Sequence, residues 1–174
     1  MGKSLKHRLW IISGASGVGK STWIANHKKF FDDSVEIISR DAIRFNLLKD
    51  EDDYFGKENE VWAEFVKQAK FSLEKNIDTI LDATHLNEKS RAKILRALGT
   101  SLKNISVNVI AFEADINWCI NNNNKREGRA YVPETAIKNL YASFTEPEYE
   151  EGFDNIYIVR MPDTSMIKKE KSYG

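Results

Sequence analysis

The chain has 174 residues, 41% hydrophobic and 30% charged, with 26 basic and 26 acidic side chains and a formal net charge of zero. That length suits one domain holding a sheet covered on both faces, and the balanced charge excludes a global field for polyanions, so any nucleic-acid contact has to come from a local cluster. A single cysteine, Cys119, rules out an internal disulfide and fits a reducing compartment, while the lack of a signal pattern or an 18-residue apolar stretch reads as cytoplasmic with no membrane span.

Taken in order, residues 1–8 are a polar lead-in, and Leu9-Trp10-Ile11-Ile12 predicts a buried strand over about 8–13. Gly14-Ala15-Ser16-Gly17-Val18-Gly19-Lys20-Ser21-Thr22 follows at once and fits the phosphate-binding pattern G-x-x-x-x-G-K-[ST]. Its glycines let successive amide N–H groups converge on a polyphosphate. Lys20 then reaches the β- and γ-phosphates, and the Ser21 hydroxyl sits on Mg²⁺. A helix to about His27 completes the strand–turn–helix context that such a loop requires.

Val35 to Ile38 predicts a second strand ending at Ser39-Arg40-Asp41, with a helix from Ala42 to Leu48. The acidic run Asp50 to Asp53 reads as a solvated loop. Val61, Trp62, Phe65, Val66, Ala69 and Leu73 fall at helical spacing within 58–75. Ile77 to Leu81 is a third strand running into Asp82-Ala83-Thr84-His85; Asn87 can cap the next helix and Gly99 can close it. Ile105 to Phe112 is a fourth strand. A helix from about Asp115 runs into four asparagines, read as a frayed end, and then Lys125-Arg126-Glu127-Gly128-Arg129. Pro133 suits the first turn of a helix carrying Ile137, Leu140, Tyr141 and Phe144 on one face, and Ile156 to Val159 is the last strand. Residues 1–162 read as one domain with a lid at about 121–132, and 163–174 as a loosely held tail.

Strands alternating with helices predict an α/β fold, a mostly parallel sheet with helices on both faces, in which ligands gather at the carboxyl ends of the strands. Asp41 stands there as a general base for an attacking hydroxyl, or as a helix N-cap. Arg44, one turn later, can hold an anionic group of an acceptor or pair with the acidic run. Asp82 can orient a metal's water shell or Arg44, or cap the turn at Thr84. His85 reads as structural. Arg126 and Arg129 can clamp a migrating phosphoryl group, or form a solvated basic connection.

From Ile11 to about Val159 these residues resemble the P-loop polynucleotide 5′-hydroxyl kinases. The loop through Trp23, the segment Ser39 to Arg44, Asp82 to His85 with Arg91, and Asn123, Arg126, Val132 and Pro133 carry the resemblance, as do Phe144 to Pro147 and Glu151-Gly152-Phe153. It implies a three-layer kinase fold with a helical lid. It also implies ATP and Mg²⁺ as cofactors, Gly14 to Thr22 with Arg126 and Arg129 on ATP, and Arg44, Asp82 and Thr84 on the acceptor. Asp41, Lys20 and Arg126 would carry catalysis, with 5′-hydroxyl ends of DNA or RNA as substrate. Asn122 stands where phage members have a lid arginine. A small-molecule or modified-base acceptor, and a nucleotide-binding switch without an acceptor, remain alternatives.

Overall fold

The computed structural model describes residues 6–128 and 131–172. Strand β1 (His7–Ser13) lies inside a six-stranded sheet of order β2-β3-β1-β4-β5-β6. β2 (Glu36–Ser39), β3 (Thr79–Asp82), β4 (Ile105–Glu113) and β5 (Asn155–Arg160) run parallel to it or to one another. Every strand of that parallel set is followed or preceded by helix: α1 (Lys20–Asn26), α2 (Arg40–Leu47), α3 (Glu58–Glu74), α4 (Glu88–Leu98), α5 (Ile116–Asn124) and α6 (Glu134–Ala142).

The uninterrupted apolar run of β1 is explained by burial on both faces. Because side chains alternate along a strand, Leu9 and Ile11 enter one core with Val61, Phe65, Leu81 and Ile94. Trp10 and Ile12 enter the other, with Trp23, Phe31, Phe112 and Ile137. Helices α2, α3 and α4 thus cover one face, and α1, α5 and α6 the opposite one. The 17-residue α3 presents Val61, Phe65, Ala69 and Leu73 to its core, as their spacing predicts.

Local caps decide where helices start. Asn87 and Ser90 form a reciprocal capping box at α4, and Gly99 ends that helix at φ +49°. At α2 the cap is Ser39, whose hydroxyl accepts from the Ala42 amide at 3.2 Å. The helix therefore begins at Arg40, two residues before the predicted start, and Asp41 sits in its first turn. On α6 Ile137 is fully buried, whereas Tyr141, expected on the same core face, is 38% exposed.

The C-terminal segment departs from the sequence reading. Ser165–Lys168 forms β6, an edge strand antiparallel to β5 with Tyr157 opposite Lys168 and Arg160 opposite Ser165. Every residue of β6 is exposed, so it has no buried side to leave an apolar alternation in the sequence; backbone pairing alone defines it. Lys169 continues the attachment through ion pairs with Glu146 (3.1 Å) and Glu148 (2.8 Å).

Candidate active site

The sheet register places the site. Ile12, Asp82 and Ser39 lie level across β1, β3 and β2, so the residues following these strands emerge together at one edge. The loop after β1 is anchored from below: the Gly14 amide donates to the Thr84 carbonyl at 2.8 Å, and the Ser13 hydroxyl donates to the His85 carbonyl at 2.6 Å. Gly17 (φ +84°) and Gly19 (φ +107°) take left-handed conformations that side chains resist. Ala15 and Val18 are buried, and Gly19 leads directly into α1.

Lys20 folds over this loop, its Nζ donating to the carbonyls of Gly14 (2.7 Å) and Ala15 (3.1 Å). Burial brings its ammonium down to about 8 from an ordinary 10.5; the Arg126 charge adds to the fall, while Asp82 and Asp41 oppose it. Lys20 is thus the point at which three predicted residues converge electrostatically. Ser21 and Thr22 are exposed at the start of α1. The Ser21 hydroxyl donates to Asp82 Oδ2 at 2.8 Å.

That contact sets Asp82 beside the hydroxyl expected to meet Mg²⁺, an arrangement compatible with orienting a metal's water shell. Among the described residues no group of three or more His, Cys, Asp or Glu could hold a metal ion. One hydroxyl backed by one carboxylate fits Mg²⁺ nonetheless, because this ion keeps waters and takes most other ligands from phosphate oxygens. The donor set of Gly14 to Thr22, with one ammonium and curled backbone, likewise fits a nucleotide polyphosphate.

Asp41, in the first turn of α2, is close enough for its charge to act on Lys20. Its Oδ1 accepts from the Arg44 guanidinium, in close contact, and from the Tyr54 hydroxyl at 2.8 Å, while the side chain stays 57% exposed. Burial, and then the Asp41 charge, push the Tyr54 phenol up to about 12, so it remains a hydrogen-bond donor to the carboxylate. With Ser39 as the cap, the Asp41 carboxylate is left free of the capping role and faces solvent.

Arg44 lies beside Asp41, one turn along α2. It is 5% exposed, and its Nε and Nη2 make a forked contact with Glu58 (2.9–3.3 Å) while Nη1 serves Asp41 and Tyr54 (3.1 Å). Its guanidinium also lies 4.6 Å from the centre of the Tyr54 ring. These hydrogen bonds fix the guanidinium against Asp41 and Glu58. Arg40 pairs with the same Glu58 and lies over the Trp62 ring. Glu58 and Tyr54 are therefore site residues that sequence reasoning missed; an acid 14 positions after an arginine has no helical periodicity to link them.

Thr84 is half-buried under the loop, which it supports through its backbone. His85 is buried with Nδ1 on the Ile12 carbonyl (2.8 Å), and burial holds its imidazole down to about 4, so it is neutral and structural, as expected. Arg91 is wholly buried: it pairs with Glu151 (2.7 and 3.0 Å) and donates to the Thr145 carbonyl, so it staples the fold.

The asparagine run is not frayed. Asn122 Nδ2 donates to the Gly17 carbonyl at 2.8 Å, and Asn123 exchanges hydrogen bonds with the backbone of Val132 across the α5–α6 connection. Trp118 Nε1 adds a bond to the Val18 carbonyl at 3.1 Å. Helix α5 is thereby fastened to the phosphate loop. Arg126 is exposed just beyond it, and Arg129 lies outside the described residues. On the β4–β5 side of the loop a cavity of about 560 Å³ is lined by Ala15, Val18, Phe112, Tyr141, Phe144 and Met161 among others.

A family model described as AAA domain matches residues 9–147. The chain belongs to this AAA domain family. No curated protein matches it. Among solved structures, this AAA domain is similar to a chain of the PezAT chromosomal toxin–antitoxin system of Streptococcus pneumoniae, with TM-score 0.70, 17% identity, and 99% of this chain and 76% of that one covered. It is also similar to a sugar kinase from Janibacter sp. HTCC2649 (TM-score 0.62, 18% identity, 88% and 85% covered). A chain of the Pnkp1/Rnl/Hen1 RNA repair complex matches at TM-score 0.65 and 20% identity, covering 99% of this AAA domain but 51% of that chain. Together these likenesses give the AAA domain a P-loop kinase fold, with a mostly parallel six-stranded sheet. No described helix is long and apolar enough to cross a membrane.

Proposed function

We propose that this AAA domain is an ATP- and Mg²⁺-dependent kinase that transfers the γ-phosphoryl group to the 5′-hydroxyl of a DNA or RNA end. The observation that carries the reading is Asp41: a solvent-facing carboxylate held by Arg44 and Tyr54 beside a nucleotide-binding loop. A slow hydrolytic switch has no use for such a group. Lys20 and the loop amides hold the β- and γ-phosphates, and Mg²⁺ at Ser21, backed by Asp82, offsets their charge. The cavity beside Tyr141 and Met161 takes the nucleoside half of ATP. The acceptor O–H gives its proton to Asp41 as its oxygen bonds to the γ-phosphorus and the bond to the β-phosphate oxygen breaks, releasing ADP. Arg126, whose charge is felt at Lys20, covers the transferring group with Arg129.

The choice of a nucleic-acid acceptor is supported by the motif resemblance and by the likeness to the repair-complex chain. A second reading, a small hydroxyl compound without phosphate, is favoured by the filled hydrogen bonds of Arg44 and by the likeness to a sugar kinase. The deciding experiment offers γ-labelled ATP to 5′-hydroxyl oligonucleotides and to a pool of hydroxyl metabolites. Labelled oligonucleotides are expected, and Asp41→Asn is expected to lower transfer by about 10²–10⁴ with nucleotide binding retained. Labelling confined to the metabolites would select the second reading, and full transfer by Asp41→Asn would remove Asp41 from the chemistry.

A further inference from the structure

On α6 one aromatic side chain has surroundings that the fold does not explain. Ile137 is fully buried in the core with Trp10 and Phe112, whereas Tyr141, one turn later on the same face, is 38% exposed. Among the described residues Tyr141 meets no other aromatic ring, and no hydrogen bond holds its hydroxyl. Stability of the fold therefore draws little on this ring. What the ring does face is the cavity on the β4–β5 side of the phosphate loop. The stripe that is core at Ile137 has become cavity wall at Tyr141.

That cavity is continuous with the phosphate loop. Ala15 and Val18 of the loop line it, and so does Met161, whose amide donates to the Glu113 carbonyl at 2.9 Å. The Met161 side chain reaches back across the loop, for a Cβ at Gly19 would stand 2.8 Å from its methyl carbon. A nucleotide whose phosphates lie on the loop thus finds the cavity at the loop's edge. The charged groups lining it are already engaged. Glu113 Oε2 lies 3.8 Å from Arg160 Nε, and Asp115 Oδ1 accepts from the Asn117 amide at 2.8 Å. The open wall that remains is the Tyr141 ring.

We propose that Tyr141 is the residue on which the base of the donor nucleotide stacks, with the Met161 thioether as a second apolar surface against it. This rests on the nucleotide-binding reading of the loop given above. An aromatic ring and a polarisable thioether are both favourable neighbours for the π-face of a base. Donor binding then divides into two separable contacts, the phosphates at Lys20 and the base at Tyr141.

Calorimetric titration of the full chain with ATP and with inorganic tripolyphosphate, each in the presence of Mg²⁺, separates the two contacts. Tyr141→Ala should weaken ATP binding by about tenfold or more, the scale of one lost base–aromatic stack, and leave tripolyphosphate binding unchanged. Tyr141→Trp should recover the ATP affinity, while Lys20→Met weakens both ligands. If the alanine variant loses its fold, Tyr141→Leu takes its place: it keeps apolar volume without a π-face and should weaken ATP alone. ATP affinity unchanged by the loss of the ring, or tripolyphosphate weakened as much as ATP, overturns the stacking role and leaves the nucleotide site standing. A wild-type chain that binds neither ligand overturns the nucleotide reading, and the role of Tyr141 falls with it.

Discussion

At the scale of single residues, Lys20 carries the clearest titration. Its ammonium is held at about 8 in the free protein, mainly by burial, whereas contact with phosphates favours the charged form. The nucleotide complex therefore binds more protons than the free protein. Affinity is full below pH 8 and falls above it, by up to about tenfold per pH unit. Calorimetric titration with ATP near pH 8 to 8.5 in buffers of different ionisation enthalpy should show fractional proton uptake, and Lys20→Met should abolish it together with most of the affinity. Uptake unchanged in Lys20→Met would assign the proton to another group. Sequence made Lys20 and Asp41 legible because each sits at a fixed offset from a recognisable strand or motif. It placed Arg44 on the side of Asp41 for the same reason, spacing by one turn. What Arg44 binds was illegible, because Glu58 and Tyr54 reach it only after the loop of residues 48–57 has folded back.

At the scale of elements, the union of the phosphate loop with α5 is the most demanding. A Cβ at Gly17 would stand 2.5 Å from the Cys119 carbonyl oxygen, and φ +84° is itself strained for any side chain. Gly17→Ala is therefore expected to push α5 off the loop and break the Asn122 and Trp118 bonds. We expect a loss of about 1–3 kcal/mol in stability, the usual cost of a forced backbone conformation, with a sharper loss of nucleotide affinity. Thermal unfolding with and without ATP measures both; a variant stabilised by ATP as strongly as the wild type would refute the coupling. The glycine pattern was plain in the sequence. The helix it leans on was legible from Asp115 onward, but its grip on the loop was not, since a run of asparagines has no apolar periodicity and reads as fraying until the partners of Asn122 and Asn123 are seen.

At the scale of the whole molecule, the buried Arg91 ties the end of β1, the turn after β3 and the segment before β5 into one body through Ser13, His85, Thr145 and Glu151. Glu151→Gln keeps the shape but leaves a guanidinium without its counter-charge in the interior. The expected cost is about 3–5 kcal/mol, read from denaturant midpoints. A loss below about 1 kcal/mol would mean that the neutral partners alone suffice. The parallel layers were legible because both-face burial writes continuous apolar runs for β1 and β4. Strand order was not, since crossovers rather than local sequence select neighbours, and β6 left no pattern at all.

The same Arg91 has a consequence for how the molecule comes into being. A ribosome releases the phosphate loop and Arg91 before Glu151, which follows Arg91 by 60 positions. At about 5–20 residues per second that interval is roughly 3–12 s. For that time the nascent chain holds a complete nucleotide motif, and soon β4 (Ile105–Glu113) as well, while Arg91 still lacks its counter-charge. The phosphate loop is thus translated well before the carboxylate that neutralises Arg91, and the ion pair that ties the ends of β1 and β3 to the segment before β5 can close only once Glu151 has emerged.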